Sequence, residues 1–105
     1  MQGYLENSFH REMAEIYQKV AYWGYNASYF RQMLTDNGGL QTAKILLHKP
    51  GLQYGFTALW EMKRLDLSME ALVIRNPWKT LFTEDEIKIA KIRLRLCGYS
   101  IPDEN

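Results

Sequence analysis

Apolar residues recur along this chain every three or four positions, and clusters of Gly, Pro and Asn repeatedly cut that rhythm. A period near 3.6 residues is that of an amphipathic helix. The cuts fall at Gly24, Asp36-Asn37-Gly38-Gly39, Lys49-Pro50-Gly51, Asn76-Pro77 and Gly98, all of them helix stops or turn formers. Only short helices fit between them. Short helices joined by Gly or Pro cross at steep angles rather than run as long parallel rods. The expected fold is therefore all-α, a compact orthogonal bundle of about five to six short helices.

Taken in order, residues 1–7 read as a loose lead-in, with Asn7 or Ser8 as the first cap. Phe9, Met13, Ile16, Tyr17, Val20 and Trp23 make one apolar stripe that Gly24 closes. Asn26 caps a second helix carrying Tyr29, Phe30, Met33 and Leu34, which stops near Asp36. A third runs from Leu40 to His48 and ends at Lys49-Pro50-Gly51. The central stretch Gly55–Val73 reads as two helices and a hinge. Thr57 caps the first of these, and Phe56, Leu59 and Trp60 form its buried side. Arg64–Ser68 turns the chain, and Ser68 caps a helix carrying Ala71, Leu72 and Val73. A strand over Ala71–Ile74 is the alternative, since Leu-Val-Ile is rich in β-branched residues, but it has no partner strand. Asn76-Pro77 reads as a cap with proline at the first helical position, leading to a turn of Trp78, Leu81 and Phe82. Thr83-Glu84-Asp85-Glu86 has the capping-box pattern. Ile87, Ala90, Leu94 and Cys97 form the inner face of the last helix. Lys88, Lys91, Arg93 and Arg95 complement its dipole. Gly98 closes it, Tyr99 folds back on Leu94, and residues 100–105 are a polar tail.

Composition bounds function more than it reveals it. One domain is expected over residues 1–105. Lys plus Arg number 13 and Asp plus Glu 12, so total charge gives no support to a dedicated nucleic-acid binder. Cys97 is the single cysteine. No internal disulfide can form, which suits a reducing cytoplasm. No apolar run approaches the ~20 residues of a membrane span, and the N-terminus lacks a signal-peptide pattern. His10 and His48 lie far apart and lack metal-ligand spacing. Cys97 sits at a helix C-terminus, the wrong end to lower a thiol pKa. Neither a nucleophile–His–acid set nor a phosphate loop can be assembled. No catalytic residue, cofactor or metal is expected.

Three sets of residues remain. Arg64, Asp66 and Glu70 form either a polar partner surface or a local arrangement, in which Asp66 caps the next helix and Arg64 pairs with Asp66 or Glu70. The local reading is favoured. Lys88, Lys91 and Arg95 share one helical face and form either a phosphate-contacting surface or solvated charge. Lys44, His48 and Lys49 would extend that face if the fold placed them beside it. The aromatics Tyr4, Tyr22, Trp23, Tyr25, Tyr29 and Tyr54 exceed what a small core buries. An exposed subset, with Tyr25 and Tyr54 the candidates, would suit a protein interface.

The pattern Gly38-Gly39, Ala43…Leu46-Leu47, Pro50, Gly55-Phe56, Leu59-Trp60, Arg64-Leu65-Asp66-Leu67, Glu70, Trp78, Leu81-Phe82-Thr83, Arg93-Leu94 and Gly98-Tyr99 resembles a small all-helical accessory domain recurrent in bacterial and phage-borne proteins. The resemblance covers Gly38 to Tyr99 and brings no catalytic residue with it. It implies an accessory module, sometimes near nuclease or host–phage conflict functions. The expectation is a non-enzymatic protein-interaction module, with a regulator or inhibitor in a defence context as a special case. Nucleic-acid binding through Lys88, Lys91 and Arg95 is the alternative.

Overall fold

Five α-helices pack around two adjoining apolar clusters in a computed structural model that describes residues 2–22, 28–51 and 54–101. They are α1 (Gln2–Tyr22), α2 (Ser28–His48), α3 (Tyr54–Glu61), α4 (Met69–Val73) and α5 (Glu84–Leu96). Two 3₁₀ turns, Leu65–Leu67 and Trp78–Leu81, link the later helices. No strand occurs among the described residues, and Ala71–Val73 is helical. The radius of gyration, 12.8 Å, is close to the ~13 Å of a compact chain this long.

The first cluster holds Phe9 and Met13 of α1, Met33, Leu34, Ala43, Leu46 and Leu47 of α2, and Met69, Leu72 and Val73 of α4. Leu81, Phe82 and Ala90 complete it. The second holds Val20, Phe56, Leu59, Leu65, Ala71 and Leu94. Helices α1, α4 and α5 each contribute to both, so they tie the halves into one core. Phe9 and Phe82 meet edge to face at 5.4 Å, a favoured aromatic geometry.

Several expected boundaries move. Helix α1 begins at Gln2, so Asn7 and Ser8 lie inside it rather than capping it. Leu5 packs against the first cluster, which draws the expected lead-in into the helix. Ser8 instead accepts a hydrogen bond from the Trp78 indole at 3.0 Å. Trp23, Gly24, Tyr25 and Asn26 lie outside the described residues. Helix α3 begins at Tyr54, so Thr57 lies within it. Trp60 is 48% exposed rather than core, because Phe56 and Leu59 take the inward side of this short helix. Pro77 sits at the N-cap of the 3₁₀ turn after a cis bond from Asn76, instead of at a first helical position after an Asn cap. Ile101 packs on the second cluster, and residues 102–105 lie outside the described set.

The helix ends follow their local signals closely. Ser68 Oγ accepts from the Ala71 N–H at 3.1 Å and caps α4. Thr83 and Glu86 make the reciprocal capping box at 3.1 and 2.9 Å. Gly98, at φ +78°, closes α5 with Tyr99 N–H donating to Leu94 C=O and Gly98 N–H to Arg95 C=O, a Schellman closure. Helix α3 closes with the same pair of bonds, Arg64 N–H to Leu59 C=O and Lys63 N–H to Trp60 C=O. Its left-handed position is occupied by Lys63 at φ +60°.

Helix α2 joins the second and third expected helices without a loop. Gly38 alone is non-helical, at φ 81° and ψ 166°, a conformation nearly restricted to glycine. The break frees backbone groups on both sides. Thr42, fully buried, donates to the Met33 carbonyl at 3.0 Å. The Gly39 N–H donates to His10 Nδ1 on α1 at 2.9 Å. The helices approach so closely here that a Cβ on Gly39 would sit 2.6 Å from His10 Cα.

Candidate interaction surface

Glu70 was a candidate for partner contact, and the structure removes it from the surface. It is 2% exposed because α4 lies buried between the two clusters. Its carboxylate pairs with Arg93 at 3.2 Å. Arg93 was expected among the basic residues that complement the α5 dipole. It is 6% exposed and also donates to the carbonyls of Leu46, Leu47 and Lys49. Those carbonyls lie at and just beyond the C-terminal turn of α2, where a helix has no internal donors left. The guanidinium therefore caps one helix from another. Burial pushes the Glu70 carboxyl up, against the pull of Arg93 and a backbone hydrogen bond.

The hinge pair forms as the local reading expected. Arg64 Nε and Nη2 meet Asp66 Oδ1 and Oδ2 at 3.1 and 3.0 Å, the bidentate fork of an Arg–carboxylate pair. The hydrogen bond from Arg64 holds the Asp66 carboxyl below its usual range, against desolvation. Asp66 does not cap α4, since Ser68 takes that place. Its carbonyl accepts from Arg75 at 3.2 Å. Both side chains of the pair stay about two-fifths exposed.

On α5, Lys88 and Arg95 are exposed and Lys91 is half-buried. Lys91 and Arg95 each make a further contact within the chain. Lys44 and His48 do lie beside α5, but at its acidic first turn. Lys44 Nζ donates to Glu86 Oε1 at 2.7 Å, and His48 Nε2 lies 2.9 Å from Oε2. Both are thus occupied by Glu86 rather than extending a basic face. Burial alone would raise the Glu86 carboxyl. The hydrogen bonds from Lys44, Thr83 N–H and His48 outweigh it and bring the pKa down to about 2. Lys49 reaches the Tyr29 hydroxyl at 2.9 Å and lies over its ring.

Among the described residues, every buried side-chain N or O atom has a hydrogen-bond partner. No group of three or more His, Cys, Asp or Glu there could hold a metal ion. Cys97 is half-buried, and burial pushes its thiol up, with Glu70 adding to the effect. The described surface instead carries large apolar side chains. Ile92 is 46% and Leu96 73% exposed, one turn apart on α5. Tyr4, Tyr22, Tyr29 and Trp60 are also exposed. Tyr25 and the side chain of Tyr54 lie outside what the structure describes. Ile92 and Leu96 were not among the expected contact residues. Their signal was present in the sequence: Ile89, Ile92 and Leu96 form a second three-and-four-spaced row, on the side of the helix away from Ile87, Ala90 and Leu94.

No family model, curated protein or solved structure matches this chain. No described helix is long and apolar enough to cross a membrane.

Proposed function

We propose that the protein is a non-enzymatic interaction module that docks another protein on the outer face of α5. The observation that carries this reading is the pair Ile92 and Leu96, exposed one turn apart and bordered by Lys88 and Arg95. Apolar side chains set at i and i+4 are the anchors a helical interface uses, and bordering charge supplies orientation and rate. Trp60, of the residue type most enriched at interface hot spots, adds a second apolar contact on α3. The hinge pair Arg64–Asp66 is a rim feature in this reading. The motif resemblance extends the proposal to a phage- or element-encoded regulator or inhibitor acting in the cytoplasm on a host defence enzyme, and the neighbouring genes test that extension.

The experiment is cross-linked affinity capture from the native host, with wild type beside an Ile92→Asp, Leu96→Asp double variant. A defined partner lost in the variant, with helicity unchanged by circular dichroism, supports the reading. A monomeric wild type that cross-links to no protein refutes it.

Nucleic-acid binding through Lys88, Lys91 and Arg95 is the second reading, favoured by the exposure of Lys88 and Arg95 on one side of α5. Glu84 stands in the same helical row, at i, i+4, i+7 and i+11 from Glu84 to Arg95, and weakens it. A low-salt mobility shift abolished by charge reversal at the three positions would establish it, and no shift would dispose of it.

A further inference from the structure

We propose that the contact between α1 and the Gly38 kink is a proton-operated latch, closed by the neutral imidazole of His10 and opened by its imidazolium. The kink starts the second half of α2 at Gly39, whose N–H is one of the donors a helix start leaves without an internal acceptor. Its acceptor is His10 Nδ1, 2.9 Å away on a neighbouring helix. A ring nitrogen that accepts carries no proton, so the proton of the neutral ring sits on Nε2. A second proton must go to Nδ1, where it would point an N–H at an N–H.

The contact has no slack to absorb this. Gly39 is buried, and the α1 backbone lies close enough that a Cβ there would stand 2.6 Å from His10 Cα. His10 itself reaches solvent. Its imidazolium therefore relieves the conflict by rotating outward, which leaves the Gly39 amide without its acceptor at the one residue where α2 is already broken. The charged groups on the elements packed here are Glu6, Arg11, Glu12, Glu15 and Lys19 on α1, Arg31, Asp36 and Lys44 on α2, and Lys79 on the 3₁₀ turn that packs against α1. Asp36 accepts from Gln32 at 3.0 Å and Lys44 is held by Glu86, and the polar partner of the His10 ring is the Gly39 N–H. His48 has a different partner, the Glu86 carboxylate at 2.9 Å.

His10→Asn separates the two histidines, since Asn Oδ1 stands where Nδ1 stood and accepts at every pH. Amide exchange at Gly39, corrected for intrinsic rates, is followed by NMR between about pH 7.5 and 5, where histidine is the side chain that ordinarily changes charge. In wild type the protection of Gly39 should fall about tenfold, the worth of one buried hydrogen bond, in step with the His10 ring titration. In His10→Asn it should stay flat. Wild-type protection that ignores the His10 titration, or a variant that falls in parallel, overturns the latch. If the variant does not fold, the two wild-type curves on one sample decide the question alone.

Discussion

Replacing Glu86 with Gln should remove much of the acid sensitivity of this protein. Glu86 Oε1 accepts from Lys44 at 2.7 Å and from the Thr83 N–H at 2.9 Å, and Oε2 meets His48 at 2.9 Å. These contacts favour the carboxylate and bring its pKa from 4.5 to about 2 in the folded protein. A folded pKa below the unfolded one gives stability that is full above about pH 4.5 and is lost as pH falls toward 2. The difference is worth about 3 kcal/mol, with roughly half lost near pH 3. Glutamine keeps an oxygen for the Thr83 N–H but not the charge that holds Lys44. The variant should therefore be less stable by about 2–3 kcal/mol at pH 7 and equal to wild type near pH 2. Glu70 titrates in the opposite sense: burial raises its pKa, so its protonation favours the folded state as pH falls. It is present in both proteins and cancels in the comparison. Urea unfolding at a series of pH values measures the gap. Wild-type and variant curves that stay parallel from pH 7 to 2 would refute the argument.

Arg93→Met should cost about 3–5 kcal/mol, because it strands a buried carboxylate. Adding Glu70→Met should recover part of that loss, and a double-mutant cycle by chemical unfolding reads the coupling directly. Gly39→Ala should cost at least about 1–3 kcal/mol by overpacking, since the new Cβ meets the α1 backbone rather than a flexible side chain. A melting temperature equal to wild type would place α1 farther from α2 than described. Trp60→Ala should cost less than the about 3–5 kcal/mol of a core tryptophan, given its 48% exposure. A loss of the full core value would put its ring inside.

The parts of this fold that were legible in the sequence are those decided within one turn of chain. The Thr83–Glu86 box, the Ser68 cap, the Gly98 closure and the Arg64–Asp66 pair each join residues at most five apart. Their chemistry is therefore written in adjacent letters. Trp60 was misplaced because a helix of eight residues presents too few positions for periodicity to say which of two neighbouring large side chains faces in. Glu70 and Arg93 were misplaced for a different reason. A charged residue reads as surface unless its partner is known, and this pair is separated by 23 positions.

The long-range polar contacts share a purpose that no local pattern could announce. Helix α2 is broken at Gly38 and stopped at His48, so it has loose backbone groups at its middle and its end. Thr42 and His10 serve the middle, 9 and 29 residues from their partners. Arg93 serves the end from 44 to 47 residues away. Capping α2 thus requires α1 and α5 to be in place, and α4 supplies the carboxylate that allows Arg93 to be buried. A helix whose ends are completed by other helices has little reason to form alone. This links the order of α2 to the whole bundle, while Ile92 and Leu96, exposed on the side of α5 opposite Ala90 and Leu94, remain free of that duty.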